Sequence, residues 1–337
     1  MRTLLARLGV IAAAAATLLV ATVPASAADV TLRVATWGSP QHPQVTAWVP
    51  LFTAEVEKNS GGRIAVQSFP AASLIKEQDV PSALPAGVAD ISLTILEDFS
   101  GLDPAIGVLG SPLLRFSFTS FVKAMHPGSP LFVATNDELR THGVVLLSAI
   151  DVGPPVFASR DQLRVPADFH GKNVRVYSGS TGSLIQALGG APTQLSQNDV
   201  YAALSTGTVQ ASYGGLPGIY GSKQYEVAKY IANPDGIFGL LINGYVMNAN
   251  SFAKLAPDLQ KIVLNAANKA NLAANKANEA AYNRDLADMA AHGNVVVTFD
   301  PKNFRDVTAH LRRDALAKYG TKSALMKALL AAQSGQR

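Results

Sequence analysis

The 337 residues contain no cysteine. Disulfides, Cys-ligated zinc and a thiol nucleophile are therefore excluded, and the chain has to be held together by a buried core. Charge is scarce: 15% of residues are charged, and the formal net charge of +4 is scattered along the chain. That excludes a nucleic-acid-binding face, which needs clustered basic residues. The six histidines (His42, His126, His142, His170, His292 and His310) show no metal-ligand spacing, HExxH is absent, and each reads as a surface or loop residue. Ser180, in SGSTGS, lacks the G-x-S-x-G elbow, and Gly171-Lys172 lacks the glycines of a phosphate loop. Beyond residue 27 no apolar run is long enough for a spanning helix. There is no internal repeat beyond NKAN at 268–271 and 275–278, which reads as one face of a helix surface.

What is present is apolar: 48% of residues are hydrophobic, enough for two domains of about 100–200 residues each. The first 27 residues have the layout of a secretory signal. Arg2 and Arg7 precede an apolar run over 8–20, and Ala25-Ser26-Ala27 forms an A-x-A site. The expectation is export, with cleavage after Ala27 and a periplasmic mature chain of net charge near +2.

Alternation predicts strands at 30–37, 63–69 and 89–96, with helical spacing at 46–59 and 74–84 between them and Pro81 as a kink. This is a β-α-β-α-β series with parallel pairing. After a strand at 144–150, GPPVFAS breaks regular structure and a second series begins. It has strands at 173–177, 191–195, 209–214 and 238–248, and helices at 181–188, 198–205 and 223–230. From Ser251 a helix of forty-odd residues, about 60 Å long, reads either as a surface helix or as a brace across two lobes. A last strand at 295–299 and a helical tail follow.

One residue stands out. Arg175 interrupts the apolar strand NVRVY and is followed by Ser178, Ser180 and Thr181 ahead of a helix. A guanidinium offers parallel donors that match a carboxylate, and hydroxyls at a helix N-terminus favour an anion. The plain alternative is a strand-edge arginine in a surface ion pair. Glu97-Asp98 read as a strand-end loop, with Glu97 as a candidate for the cleft.

In order and spacing, the chain resembles the DctP-type substrate-binding proteins of tripartite ATP-independent periplasmic (TRAP) transporters. The likeness runs through GGRIAVQSFP (61–70), LIKEQD (74–79), GVADIS (87–92), DFHGKNVRV (168–176), ALGGAPTQL (187–195), NDVYAALSTGTVQ (198–210), IYGSKQYEVAKY (219–230) and LAPDLQKIV (255–263). It implies a two-lobed α/β periplasmic binding protein fold with a hinge, a ligand cleft and a long lobe-spanning helix. The expected lobes are 28–152 plus 241–282 and 153–240 plus 283–337. It also implies capture of an organic anion by Arg175, without catalysis or cofactor, and delivery to membrane permease subunits by a monomer.

Departures from the family bear on the ligand. Tyr213 and Gly214 stand where many relatives have a Glu-Asn pair. Pro155 stands in register with a second arginine, and Gln197 at a position that is often aromatic. Trp37, Tyr213 and Phe238 offer aromatic surface to the cleft, core packing being the other role for Phe238. The expected ligand is a monocarboxylate with an apolar or aromatic body. C4-dicarboxylate or sugar-acid binding, an exported enzyme and a receptor-docking sensor on the same fold are the alternatives.

Overall fold

The computed structural model describes residues 28–320 and 323–334, so the expected signal segment lies outside the described residues. Eleven strands are present there: β1 Val30–Ala35, β2 Ile64–Phe69, β3 Ile91–Ile95, β4 Val144–Gly153, β5 Val156–Ser159, β6 Asn173–Val176, β7 Ala191–Gln194, β8 Ala211–Gly214, β9 Tyr230–Asn233, β10 Leu241–Asn248 and β11 Val295–Thr298. They form two sheets, ordered β2-β1-β3-β10-β4 and β11-β9-β5-β8-β6-β7. As expected, β1 pairs in parallel with β2 and with β3. In the second sheet β6 runs parallel to β7 and β8.

Helix α1 (Pro43–Asn59) shows why the first layer holds. Val45, Trp48, Val49, Phe52 and Val56 recur at helical spacing, and all are buried. The Trp48 ring stacks on Phe52 at 4.3 Å and on Tyr245 of β10 at 3.7 Å. Its Nε1 donates to Ser148 Oγ at 2.9 Å, so the indole is buried with its polar atom satisfied. Helix α2 (Gly179–Ala187) follows β6, and Ser178 caps it by accepting from the Thr181 N–H.

The chain leaves the first sheet at Gly153. Its φ of 84° is left-handed, and a side chain there would meet the Tyr282 ring at 2.7 Å. Pro154-Pro155 then turns the chain into β5, in the second sheet. The long helix α3 (Pro257–Ala291) has 35 residues, about 52 Å at 1.5 Å rise. It is shorter than expected because residues before Pro257 are extended, which separates Ala249–Lys254 as its own helix. Leu259, Val263, Ala267 and Ala274 pack with α1 on the first sheet. Tyr282 and Met289 pack with Val156, Ala158 and Ile231 of the second. The helix therefore spans both sheets, which is the two-lobed architecture that the resemblance implied.

Four sequence readings need correction. The NKAN asparagines are not helix surface: Asn271, Asn275 and Asn278 are buried. Asn275 Oδ1 accepts from the Asp151 N–H at 3.0 Å, Asn275 Nδ2 donates to Ala149 O at 3.1 Å, and Asn278 Nδ2 donates to Asp151 O at 2.6 Å. Polar residues at helical spacing look exposed, but an edge strand supplied partners. The helix expected over 223–230 shrinks to one 3-10 turn, Gln224–Glu226, and Tyr230 already belongs to strand β9, paired with β5 and β11. Pro81 sits at the start of helix Val80–Ala83, where its missing N–H costs nothing, and so marks an entry and not a kink. The tail does not stay wholly with the second sheet: Leu325, Met326 and Leu329 of helix Ala324–Ser334 join the core of the first, beside Phe121 and Leu139. Apolar spacing says that a face is buried, not against which sheet. The preceding helix α4 (Arg305–Tyr319) is packed against by the second-sheet side through Val307 and Leu311.

Candidate ligand-binding site between the sheets

Arg175 is 1% exposed, so it is no strand-edge surface residue. β6 lies between β7 and β8, with Val174 and Val176 buried on either side of it. Its Nε donates to Leu195 O at 2.9 Å and its Nη1 to Tyr213 O at 3.3 Å. These two bonds fix the plane of the guanidinium. Gly214 lies beside it, and a Cβ there would stand in van der Waals contact at 3.4 Å from Nη1. Nη2 is buried without a hydrogen-bond partner, and the nearest opposite charge is Glu77 Oε2 at 3.9 Å.

Nη2 belongs to a residue lining a small cavity of about 20 Å³, with Trp37, His42, Glu77 and Asn243 on the first-sheet side and Gln197 and Gly214 beside Arg175. Three more of these residues have buried polar atoms without a partner among the described residues: Trp37 Nε1, His42 Nε2 and Asn243 Oδ1. Such atoms are costly when unpaired, so four of them around one cavity mark a place built to meet polar groups.

The imidazole of His42 is neutral. Burial pulls it down to about 4. His42 caps α1, its Nδ1 accepting from the Gln44 N–H at 3.4 Å, which leaves Nε2 to carry the proton. The surface reading of this histidine is thereby corrected: it is 5% exposed, held inside by its capping role. Glu77 is raised by burial, with Arg175 opposing the shift, and Asp98 is raised further by burial and by the neighbouring Glu77 and Glu97. Several acids thus crowd a single cation.

The hydroxyl loop has a different partner. Ser178 Oγ and Ser180 Oγ both donate to Glu97 Oε1, the second at 3.0 Å. Glu97 comes from the segment after β3, in the first sheet, and burial pushes it up to about 7 against the pull of the two hydroxyls. A side chain at Gly110 would collide with its carboxyl. Ser178 and Glu97 therefore meet each other, and neither lines the cavity at Arg175. Tyr213 contributes its carbonyl, while its ring packs on Phe157 at 4.6 Å and Tyr177 at 6.1 Å. Phe238 packs on Phe304 at 5.6 Å and Phe299 at 6.4 Å. Of the residues singled out from sequence, Arg175, Trp37, Gln197 and Gly214 come together at the cavity. Glu77, His42 and Asn243 join them, and nothing in their local sequence signals it. A groove of about 560 Å³ lies between residues 107–112 and helices α2 and α4, but it does not reach Arg175.

The profile of the bacterial extracellular solute-binding proteins, family 7 (DctP), matches residues 34–318. An uncharacterised protein of Haemophilus influenzae is 29% identical over 218 residues, 63% of this chain and 64% of that one. The 2,3-diketo-L-gulonate-binding periplasmic protein YiaO of Escherichia coli is 24% identical over 274 residues, 79% of this chain and 81% of that one. Among solved structures, the sugar acid binding protein DctPAm of Advenella mimigardefordensis, in complex with galactonate, superposes with a TM-score of 0.83 at 22% identity, covering 90% of this chain and 98% of that one. Half or more of the chain matching one family profile, on the same two-lobed fold, assigns it: the chain belongs to the DctP-type bacterial extracellular solute-binding proteins, family 7, the substrate receptors of TRAP transporters.

Proposed function

We propose that the protein captures a small monocarboxylate in the periplasm, closes its two lobes around it, and delivers it as a monomer to TRAP permease subunits, without chemical conversion. The observation that carries this reading is the buried Arg175 guanidinium, held by Leu195 O and Tyr213 O, with Nη2 left over at a cavity between the sheets. The acids named for YiaO and DctPAm support the ligand class.

One carboxylate, not two, fits the charges. No second cation lines the cavity, His42 is neutral, and Glu77 already faces Arg175. A second buried carboxylate would lack a partner, at a cost of several kcal/mol. Lys76 lines an adjoining groove that shares Trp37, Glu77 and Gln197 with the cavity but does not line the cavity itself, and Arg115 lies at grooves elsewhere. Of the aromatic surface expected from sequence, Trp37 lines the cavity, while Tyr213 and Phe238 do not.

A thermal-shift panel of mono- and dicarboxylates tests the reading, with product analysis after incubation. Monocarboxylates are expected to raise the Tm and to be recovered unchanged. Stabilisation by succinate or malate alone, or conversion of any ligand, would overturn it.

A further inference from the structure

Asn243 presents its carbonyl oxygen to the cavity, and the reason lies three side chains away. The chain of amides starts at a backbone carbonyl, Asp151 O on β4, which can only accept. Asn278 of the long helix must therefore turn its NH2 toward it, at 2.6 Å. That leaves Asn278 Oδ1 facing Gln44, which donates from Nε2 at 3.4 Å. Gln44 Oε1 then faces Asn243, which donates from Nδ2 at 2.8 Å. Asn278, Gln44 and Asn243 are each at most 1% exposed, so bulk solvent does not reach them. Reversing any one amide would set two acceptors or two donors against each other. The polarity of a backbone carbonyl at the end of the first sheet is thus passed along to Asn243 Oδ1, which is buried and has no partner.

On the other sides of the cavity the groups without partners are donors: Trp37 Nε1–H, His42 Nε2–H and Arg175 Nη2. A bare carboxylate with a hydrocarbon body satisfies the donors and leaves Asn243 Oδ1 unpaired. We infer that the site selects, among monocarboxylates, those carrying a hydrogen-bond donor on an atom close to the carboxyl group, with Asn243 as the residue that reads it and Gln44 and Asn278 as positioning residues. A 2-hydroxy acid and a cyclic amide acid share this chemistry, one through O–H and the other through N–H. The inference rests on the carboxylate-capture reading above.

Calorimetry with matched pairs tests it: lactate against propanoate for the hydroxyl, pyroglutamate against cyclopentanecarboxylate for the amide. The donor-bearing member of at least one pair is expected to bind about tenfold to a hundredfold tighter, the range for a buried acceptor left unpaired, and which pair responds tells O–H from N–H. Asn243→Leu is expected to bring the members of that pair within about threefold of each other. Gln44→Leu, which breaks the relay without touching the ligand, should narrow the gap in the same way by weakening the donor-bearing member more than the bare carboxylate; a merely structural role would weaken both members alike. Equal binding within both pairs by the unmodified protein, which needs no variant to fold, overturns the inference and leaves carboxylate capture standing. Failure of every acid, these four and the wider panel, overturns both.

Discussion

Two places on the second sheet meet acids from the first, and they differ in what is left over. At the start of α2, Ser178 and Ser180 both donate to Glu97 Oε1, so the hydroxyls are satisfied within the protein. On β6, Arg175 stands 3.9 Å from Glu77 and still has a nitrogen without a hydrogen bond. From sequence the two look like one anion site. The leftover group separates them, Oε2 of the Glu97 carboxyl at the first and Nη2 of the guanidinium at the second: on the proposed reading the first is a latch between the lobes and the second is where the solute sits.

That distinction breaks most readily at Arg175. Arg175→Ala is expected to cost about 3–5 kcal/mol of binding, more than a hundredfold, because a buried carboxylate is left without its cation. Arg175→Lys should recover only part of this, since a point charge cannot reproduce the fork. Calorimetry showing near wild-type affinity for Arg175→Ala would remove the site from β6.

A smaller, uniform effect is expected at the latch. Glu97→Ala should weaken every carboxylate about tenfold at pH 6, as loss of two buried hydrogen bonds does, with the order of preference unchanged. A changed order would place Glu97 in the ligand site. The latch also sets a pH dependence. Burial between the sheets holds Glu97 at about 7, above its ordinary value; on the proposed reading closure is favoured when it is protonated and disfavoured as pH rises through 7. Affinity measured by calorimetry should fall from pH 6 to pH 8, and Glu97→Gln should flatten the profile.

The smallest effect is a control on the comparison. Asp151 accepts from the Gly153 N–H at 2.8 Å, but its Oδ2 is buried without a partner, and burial raises its carboxyl to about 7. The raised value means that its contribution to stability is present at low pH and is lost as pH rises through 7. Asp151→Asn is expected to raise the Tm by a few degrees at pH 8, about 1 kcal/mol, and not at pH 5, with affinity unchanged in both. Differential scanning fluorimetry at the two pH values checks it.

The parts of this picture that were legible from sequence are those written locally. The first β-α-β-α-β series rests on alternation and helical spacing, and Arg175 is conspicuous because a charge in an apolar strand needs a reason. The partners were not legible. Glu77 lies 98 residues from Arg175 in sequence, and Asn243 lies 199 from Gln44. No spacing rule links such residues before the sheets are assembled. Ser178 and Glu97 were both recognised as polar residues with a purpose, yet which anion the hydroxyls hold depends on how the lobes meet. Strands β5 and β9 were missed although β6, β7, β8 and β11 are equally short: β5 follows directly on Pro154-Pro155, which read as a break, and β9 begins at the end of a segment with helical spacing.

The buried asparagines of the long helix have a further consequence. β4 is an outer strand of its sheet, and an outer strand offers bare amides and carbonyls to any other chain in extended form. Asn275 and Asn278 take up the Asp151 N–H, the Ala149 carbonyl and the Asp151 carbonyl. Over that stretch a helix does the work of a neighbouring strand, and the side-chain amides stand in for a backbone that is not there. At Ala149 and Asp151 the edge is thereby closed to intermolecular pairing, so over that stretch a helix that looks like a mechanical brace is also a guard against aggregation.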